Sequence, residues 1–267
     1  FETVSGCTTT GSSILSDVEA LSYSSLIWRS FSHWIGGMGV LVFLLAIIPM
    51  SGGSNINLMK AESPGPSVGK LVPKMRSTAR ILYLIYLGMS ILMFILLIFG
   101  KMPIFDALAT TFGTAGTGGF GIKNDSFASY SPYIQWVTGI FMMLFGVNFN
   151  AYYFILFLDI KKAFKMEEVR WYFTIIALSV FVIFTDLMQF YPTMGAALRD
   201  SFFQVSSIIT TTGFATADFN LWSATSKSTL VLLMFLGACA GSTGGGLKVS
   251  RLMILIKTIN QLQNLYF

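Results

Sequence analysis

The chain is short of charge, of histidine and of cysteine, and each shortage removes a class of function. Only 11% of its residues are charged, against roughly 25% in a soluble domain. With 54% hydrophobic residues and a mean hydropathy of +0.70, an ordinary water-soluble protein is excluded. One histidine, His33, and two cysteines, Cys7 and Cys239, without metal-ligand spacing, leave no Cys/His metal site and no disulfide framework. No nucleophile–base set is visible either, so an enzyme is not expected and no organic cofactor is implied. No basic n-region precedes an apolar run at the start, so no signal peptide is read there. The chain opens at Phe1 inside a motif and is expected to be a piece of a longer protein.

What is present is a series of apolar runs: Ile35 to Met50, Ile81 to Gly100, Tyr133 to Leu158, Trp171 to Thr185 and the shorter Ser228 to Ala240. Ile81 to Gly100 carries no charge, and about 20 such residues span roughly 30 Å of hydrocarbon as a helix. An all-α integral membrane protein in a lipid bilayer is expected.

Between these runs lie three polar loops: Thr9-Thr10-Gly11-Ser12, Thr117-Gly118-Gly119-Phe120 and Thr211-Thr212-Gly213-Phe214. Glycine-bearing backbone belongs at membrane depth only where protein or a watery cavity surrounds it. Counting back from each final glycine exposes a repeat. Asp106 and Asp200 each stand 13 residues before theirs, Phe1 and Phe203 ten before, Ser5 and Ser207 six before. The pattern reads outer helix, re-entrant half-helix, loop, inner helix. It assigns 1–50 to a partial first repeat, 78–159 to a second and 171–260 to a third with a broken inner helix. Residues 51–77 and 160–170 read as cytoplasmic linkers, and 261–267 as an unassigned tail.

Placing all three loops on one side puts 12 Lys and Arg residues on the opposite side and 5 with the loops. Cytoplasmic loops collect Lys and Arg, so the loops are expected to face outward. The net charge of +5 is then a topology signal, and no nucleic-acid partner is implied. Because the loops share a side, the repeats are parallel about an axis along the membrane normal, which favours a central pore.

The loop chemistry suits a cation. Backbone carbonyls can replace an ion's hydration shell without a fixed negative charge that would trap it. Half-helices Ile104 to Phe112 and Leu198 to Ile208 aim their partially negative C-terminal ends at the loops.

These loops, with WRSFSHWIGGMGV (Trp28 to Val40), FGVNFNAYYF (Phe145 to Phe154) and GACAGSTGGGLKVSR (Gly237 to Arg251), resemble the Trk/Ktr/HKT superfamily of potassium transporters, closest to its bacterial TrkH branch. The resemblance implies a potassium-selective, channel-like uptake subunit of four helix–pore-loop–helix repeats around a pseudo-fourfold pore, like a potassium channel. It also implies a homodimer in the bacterial inner membrane and a cytosolic nucleotide-binding regulatory subunit of the TrkA or KtrA type. Potassium is then the transported ion, held by backbone at Thr10, Gly11, Gly118, Gly119, Thr212 and Gly213. The family's intramembrane gating loop falls on Ala240 to Lys248, including Gly241, Ser242, Thr243, Gly244, Gly245, Gly246 and Lys248. Those glycines cannot sustain a membrane helix in any case. In related plant transporters a serine at the first filter glycine accompanies sodium preference, so glycine at all three positions points to potassium. The departures are a fourth repeat, its pore-facing arginine and the first outer helix, none of which lies within these residues.

Rival readings follow from particular residues. Gly241 to Lys248 has the spacing G-x-x-x-x-G-x-K, not that of a phosphate-binding P-loop. His33 is read as a packed residue rather than a proton carrier, and Asp106 and Asp200 as acids near half-helix N-termini. Lys248 and Arg251 either tune the gate or anchor the inner face. A proton- or sodium-coupled symporter of the same fold, or a sodium-permeable relative, is the alternative. Paired broken helices would favour it, and only the third inner helix reads as broken.

Overall fold

A computed structural model describes residues 1–39, 75–156 and 159–266, with no strand among them. The first inner helix beyond Gly39 and most of the expected 51–77 linker lie outside the described residues. The helices in order are α1 (Glu2–Cys7), α2 (Tyr23–Gly37), α3 (Met75–Phe99), α4 (Ile104–Ala115), α5 (Pro132–Phe145) and α6 (Phe149–Leu156). They continue with α7 (Ile160–Lys165), α8 (Glu167–Leu187), α9 (Met194–Ile209), α10 (Ala224–Leu236) and α11 (Val249–Tyr266).

Local chemistry sets where these helices start. Ser22, Ser131 and Ser223 each accept a hydrogen bond from the backbone N–H three residues on, capping α2, α5 and α10. Pro132 follows Ser131 at the first helical position, where its missing N–H costs nothing. Thr193 caps α9 in the same way. The three inner helices thus begin alike, just after each loop.

Among the described residues two helical stretches are long and apolar enough to cross a membrane, Arg80–Phe99 and Glu167–Leu187. The expected single span from Tyr133 to Leu158 is not one helix. It divides into α5 and α6, which meet at a bend of 95° around 146–148. The second inner helix is therefore broken as well as the third, a correction to the sequence reading. Residues 160–170 form α7 and the first turn of α8.

Packing follows a rule around the molecule. Inner helix α2 lies against half-helix α4 of the next repeat, and inner helix α5 lies against half-helix α9. An outer-helix tyrosine braces each of these two inner helices. Tyr86 of α3 donates to the Trp34 carbonyl at 2.9 Å, and Tyr172 of α8 donates to the Met143 carbonyl at 2.9 Å. Both tyrosines are fully buried. One apolar core gathers Tyr86, Phe145, Phe149 and Phe203, and a second gathers Tyr172, Ile183, Leu187 and Val205.

Where α8 ends, Asp186 accepts hydrogen bonds from both Ser223 and Ser226 at the start of α10. This carboxylate fixes where α10 begins. Asp186→Ala removes two charge-assisted hydrogen bonds, each contributing about 1.5–3 kcal/mol. The detergent-solubilised protein should melt several degrees lower, and an unchanged melting temperature would show the contact to be idle.

Candidate pore site

Each half-helix ends in one hydrogen-bond pattern. The N–H groups of Thr9, Thr117 and Thr211 donate to the carbonyls of Gly6, Thr114 and Ile208, all at 3.0 Å. The next N–H groups, of Thr10, Gly118 and Thr212, reach back to Ser5, Gly113 and Ser207 at 2.9, 3.1 and 2.9 Å. These paired bonds form a Schellman motif, which needs a left-handed residue just past the helix end. That residue is usually glycine, but here it is threonine, with φ of 52° at Thr9, 50° at Thr117 and 58° at Thr211. A β-branched residue there is strained, by roughly 1–3 kcal/mol. The hydroxyls of Thr117 and Thr211 each donate to the preceding carbonyl at 2.7 Å, which helps to hold the turn.

Two residues later each loop turns left-handed again, at Gly11 (φ 74°), Gly119 (80°) and Gly213 (91°). Serine six residues upstream ties down the far side of the loop. Ser5 donates to the Ser12 carbonyl and Ser207 to the Phe214 carbonyl, both at 2.6 Å. In the second loop Gly113 stands in that place, and a Cβ there would sit 2.8 Å from the Phe120 carbonyl oxygen. The chain closes up where the serine is missing.

The loops abut in sequence order. A Cβ on Gly11 would strike the Gly118 carbonyl, and one on Gly119 would strike the Thr212 carbonyl. A Cβ on Gly213 would meet no described atom within 4 Å. The second loop is enclosed by its neighbours, with Thr117 fully buried, whereas Thr10 and Gly213 at the two free edges are exposed. Asp17, Glu19 and Asn124 clasp the outer extensions of the first two loops. Asn124 donates to Asp17 at 2.7 Å, and this bond holds the Asp17 carboxyl below the usual range. The Asn124 N–H donates to Glu19 at 3.0 Å.

Several positioning residues gave no clear signal in the sequence. His33 is fully buried and stacks on Phe120, ring centroids 4.1 Å apart, as the packed reading expects. The Phe120 N–H donates to its Nδ1 at 3.4 Å, and a Cβ on Gly118 would press on its ring face, against three ring atoms. Arg29, 5% exposed, pairs with Glu2 at 2.7 Å and lays its guanidinium 4.2 Å from the Phe120 ring. First-repeat side chains therefore buttress the second loop. Asp106 keeps its place in the first turn of α4 and accepts from the Tyr130 hydroxyl at 3.1 Å. Asp200 does not. It lies well inside α9, buried, and meets Arg199 and Thr216, both at 3.2 Å. Its helix-end reading is corrected because the helix starts earlier, at Met194.

The glycine-rich segment lies directly against the third loop, and its break begins at Gly237 (φ 71°) rather than Ala240. Gly241 (68°), Gly246 (80°) and Lys248 (69°) are also left-handed. The Gly245 N–H donates to Thr211 Oγ1 at 2.7 Å. Ser242 donates to the Cys239 carbonyl at 2.6 Å, and Thr243 to the Phe145 carbonyl at 3.2 Å. Lys248 is 4% exposed and donates to the Gly244 carbonyl, so it is folded into the segment rather than anchored at a surface. Arg251 is exposed.

Tandem half-helices with re-entrant loops, set among membrane-length helices, define a membrane protein of the pore-loop class. Its sequence matches the TrkH family, described as "Cation transport protein", along residues 1–264. The chain belongs to the TrkH family, whose members are ion transporters rather than enzymes. It is 36% identical over 266 residues to the Trk system potassium uptake protein TrkH of Salmonella typhimurium, covering 98% of this chain and 55% of that protein. It is 35% identical over 274 residues to the TrkG protein of Escherichia coli K12, covering 99% of this chain and 56% of that one. The crystal structure of the potassium transporter TrkH from Vibrio parahaemolyticus superposes with a TM-score of 0.82 at 32% identity, over 99% of this chain and 55% of that one. The chain thus spans about half the length of the relatives it matches.

The contact between His33 and the second loop can be measured directly. Gly118→Ala presses a methyl against the face of the imidazole ring and should destabilise by about 1–3 kcal/mol, as overpacking does. His33→Ala makes room, so the double variant should regain part of that loss. Strictly additive losses in thermal melts would mean that the two groups do not touch.

Proposed function

We propose that the full-length protein takes up potassium across the bacterial cytoplasmic membrane through a gated, channel-like pore. The supporting observation is the three abutting loops, each with a left-handed threonine and a left-handed glycine at matched positions. Such a stack presents carbonyls of consecutive repeats to one region, where they can take the place of hydration water. The half-helices α1, α4 and α9 end at these loops, and the longer α4 and α9 add partial negative charge that favours a cation.

In this reading Thr9 to Ser12, Thr117 to Phe120 and Thr211 to Phe214 line the selectivity filter. Residues 1–50, 78–159 and 171–260 are three repeats, and the filter faces outward. The segment Ala240 to Lys248 is the gate beneath it. The name "Trk system" carried by the relatives fits a protein that works with other components; a homodimer and a nucleotide-binding regulatory subunit of the TrkA or KtrA type belong to the same proposal. The second break, between α5 and α6, lends some support to a proton- or sodium-coupled symporter. The parallel arrangement of the repeats favours the gated pore.

In the full-length protein, Gly11→Ser, Gly119→Ser and Gly213→Ser should each lower the preference for potassium over sodium. The side chain intrudes on a neighbouring carbonyl at the first two positions, and φ strain applies at all three. Rubidium uptake with sodium competition is the measurement. If all three variants keep wild-type competition curves, the filter is misassigned.

A further inference from the structure

We propose that Glu168 is the latch that holds the glycine-rich segment closed, by joining it to the break in the second inner helix. The inference rests on reading that segment as the gate. Glu168 lies in the first turn of α8, where an acidic residue needs no partner beyond the helix end itself. It nevertheless has two, from two different elements. Its Oε1 accepts from the Ala240 N–H at 2.6 Å, and its Oε2 accepts from Asn148 Nδ2 at 3.3 Å. Ala240 opens the glycine-rich segment, and Asn148 sits at the 95° bend between α5 and α6.

The two breaks also satisfy each other's backbone. The Cys239 N–H donates to the Gly146 carbonyl at 3.0 Å, and the Phe149 N–H donates to the Gly241 carbonyl at 3.0 Å. Helix interruption frees such groups, and at membrane depth each needs a protein partner. The neighbouring Glu167 pairs with Lys257 of α11 at 2.5 Å, beyond the far end of the segment. Adjacent glutamates on one helix turn therefore grip the segment's entry and the helix that follows its exit. Hydrogen bonds to a carboxylate are shorter and stronger than neutral ones, so Glu168 is the strongest tie at the entry. It acts through Ala240 and Asn148 and is a positioning residue for the gate.

The test uses full-length protein in proteoliposomes, with rubidium flux and thiol labelling of Cys239, which is fully buried beside Ala240. Cys7 and any cysteine outside these residues are replaced by serine, so that Cys239 is the one thiol left. Glu168→Ala should raise basal flux by roughly tenfold or more, as loss of both charge-assisted bonds from the closed state requires. Cys239 should become labelled, while potassium-over-sodium preference stays as in the parent. Glu168→Gln, which still offers an acceptor to Ala240, should fall between. Where Glu168→Ala does not fold, Asn148→Ala, which cuts the other arm, should raise flux and labelling in the same direction. Unchanged flux and labelling in folded Glu168→Ala or Asn148→Ala overturns the latch. A shortened Gly241–Gly246 segment separates the two levels. If shortening raises flux and the latch variants do not, the gate stands without the latch. If neither raises it, the gate assignment falls too.

Discussion

Everything at the candidate site depends on one constraint: backbone that leaves a helix inside an apolar medium must find new partners for its N–H and C=O groups. The chain meets it the same way three times, with a pair of hydrogen bonds from the loop back to the half-helix end. That pair forces a left-handed residue at Thr9, Thr117 and Thr211, and the turn that follows forces a second at Gly11, Gly119 and Gly213. Threonine at the first position is a costly choice, since glycine would hold the same turn without strain. What threonine adds is a hydroxyl. At Thr211 it both steadies the preceding carbonyl and accepts the Gly245 N–H, so one strained residue links the third loop to the segment beneath it.

Glycine does a different job between repeats. Gly11 and Gly119 let each loop touch the carbonyl of the next, while Gly36 and Gly37 let α2 approach the backbone at Cys7 and Gly116. The inner helix of one repeat then packs on the half-helix of the following one. Among the described residues this rule runs in a single direction, and a Cβ on Gly213 meets no described atom within 4 Å.

Much of this was legible because tandem copies check one another. The glycines at 11, 119 and 213 share an upstream spacing, and the serines at 5 and 207 carry out the same hydrogen bond where that spacing puts them. Misreadings arose where a single copy had to be judged alone. Gly146-Val147-Asn148 carries no run of helix breakers, and its bend is held by partners nearly a hundred residues away, so a continuous apolar span was the natural reading. Asp200 looked like a helix-end acid until the cap at Thr193 placed it inside α9 beside Thr216. For Lys248 the sequence left two readings open, gate or inner-face anchor, and its left-handed backbone turns it onto the Gly244 carbonyl. His33 shows the limit from the other side. Its burial was expected, but the loop it supports belongs to another repeat, and no local pattern encodes that.

The two interrupted inner helices are best understood as one structure. Gly146 supplies a carbonyl that the Cys239 N–H lacks within its own segment, Gly241 supplies one for Phe149, and Phe145 accepts the Thr243 hydroxyl. Separating them would strand these groups at a depth where unpaired backbone is expensive. Neither break is therefore free to rearrange alone: movement of the glycine-rich segment must either drag the bend at 146–148 with it or exchange these bonds for water. A polar seam of that kind has two natural states, dry and joined or wet and parted. A wet seam directly beneath the third loop would be continuous with any path for ions through the loops above it.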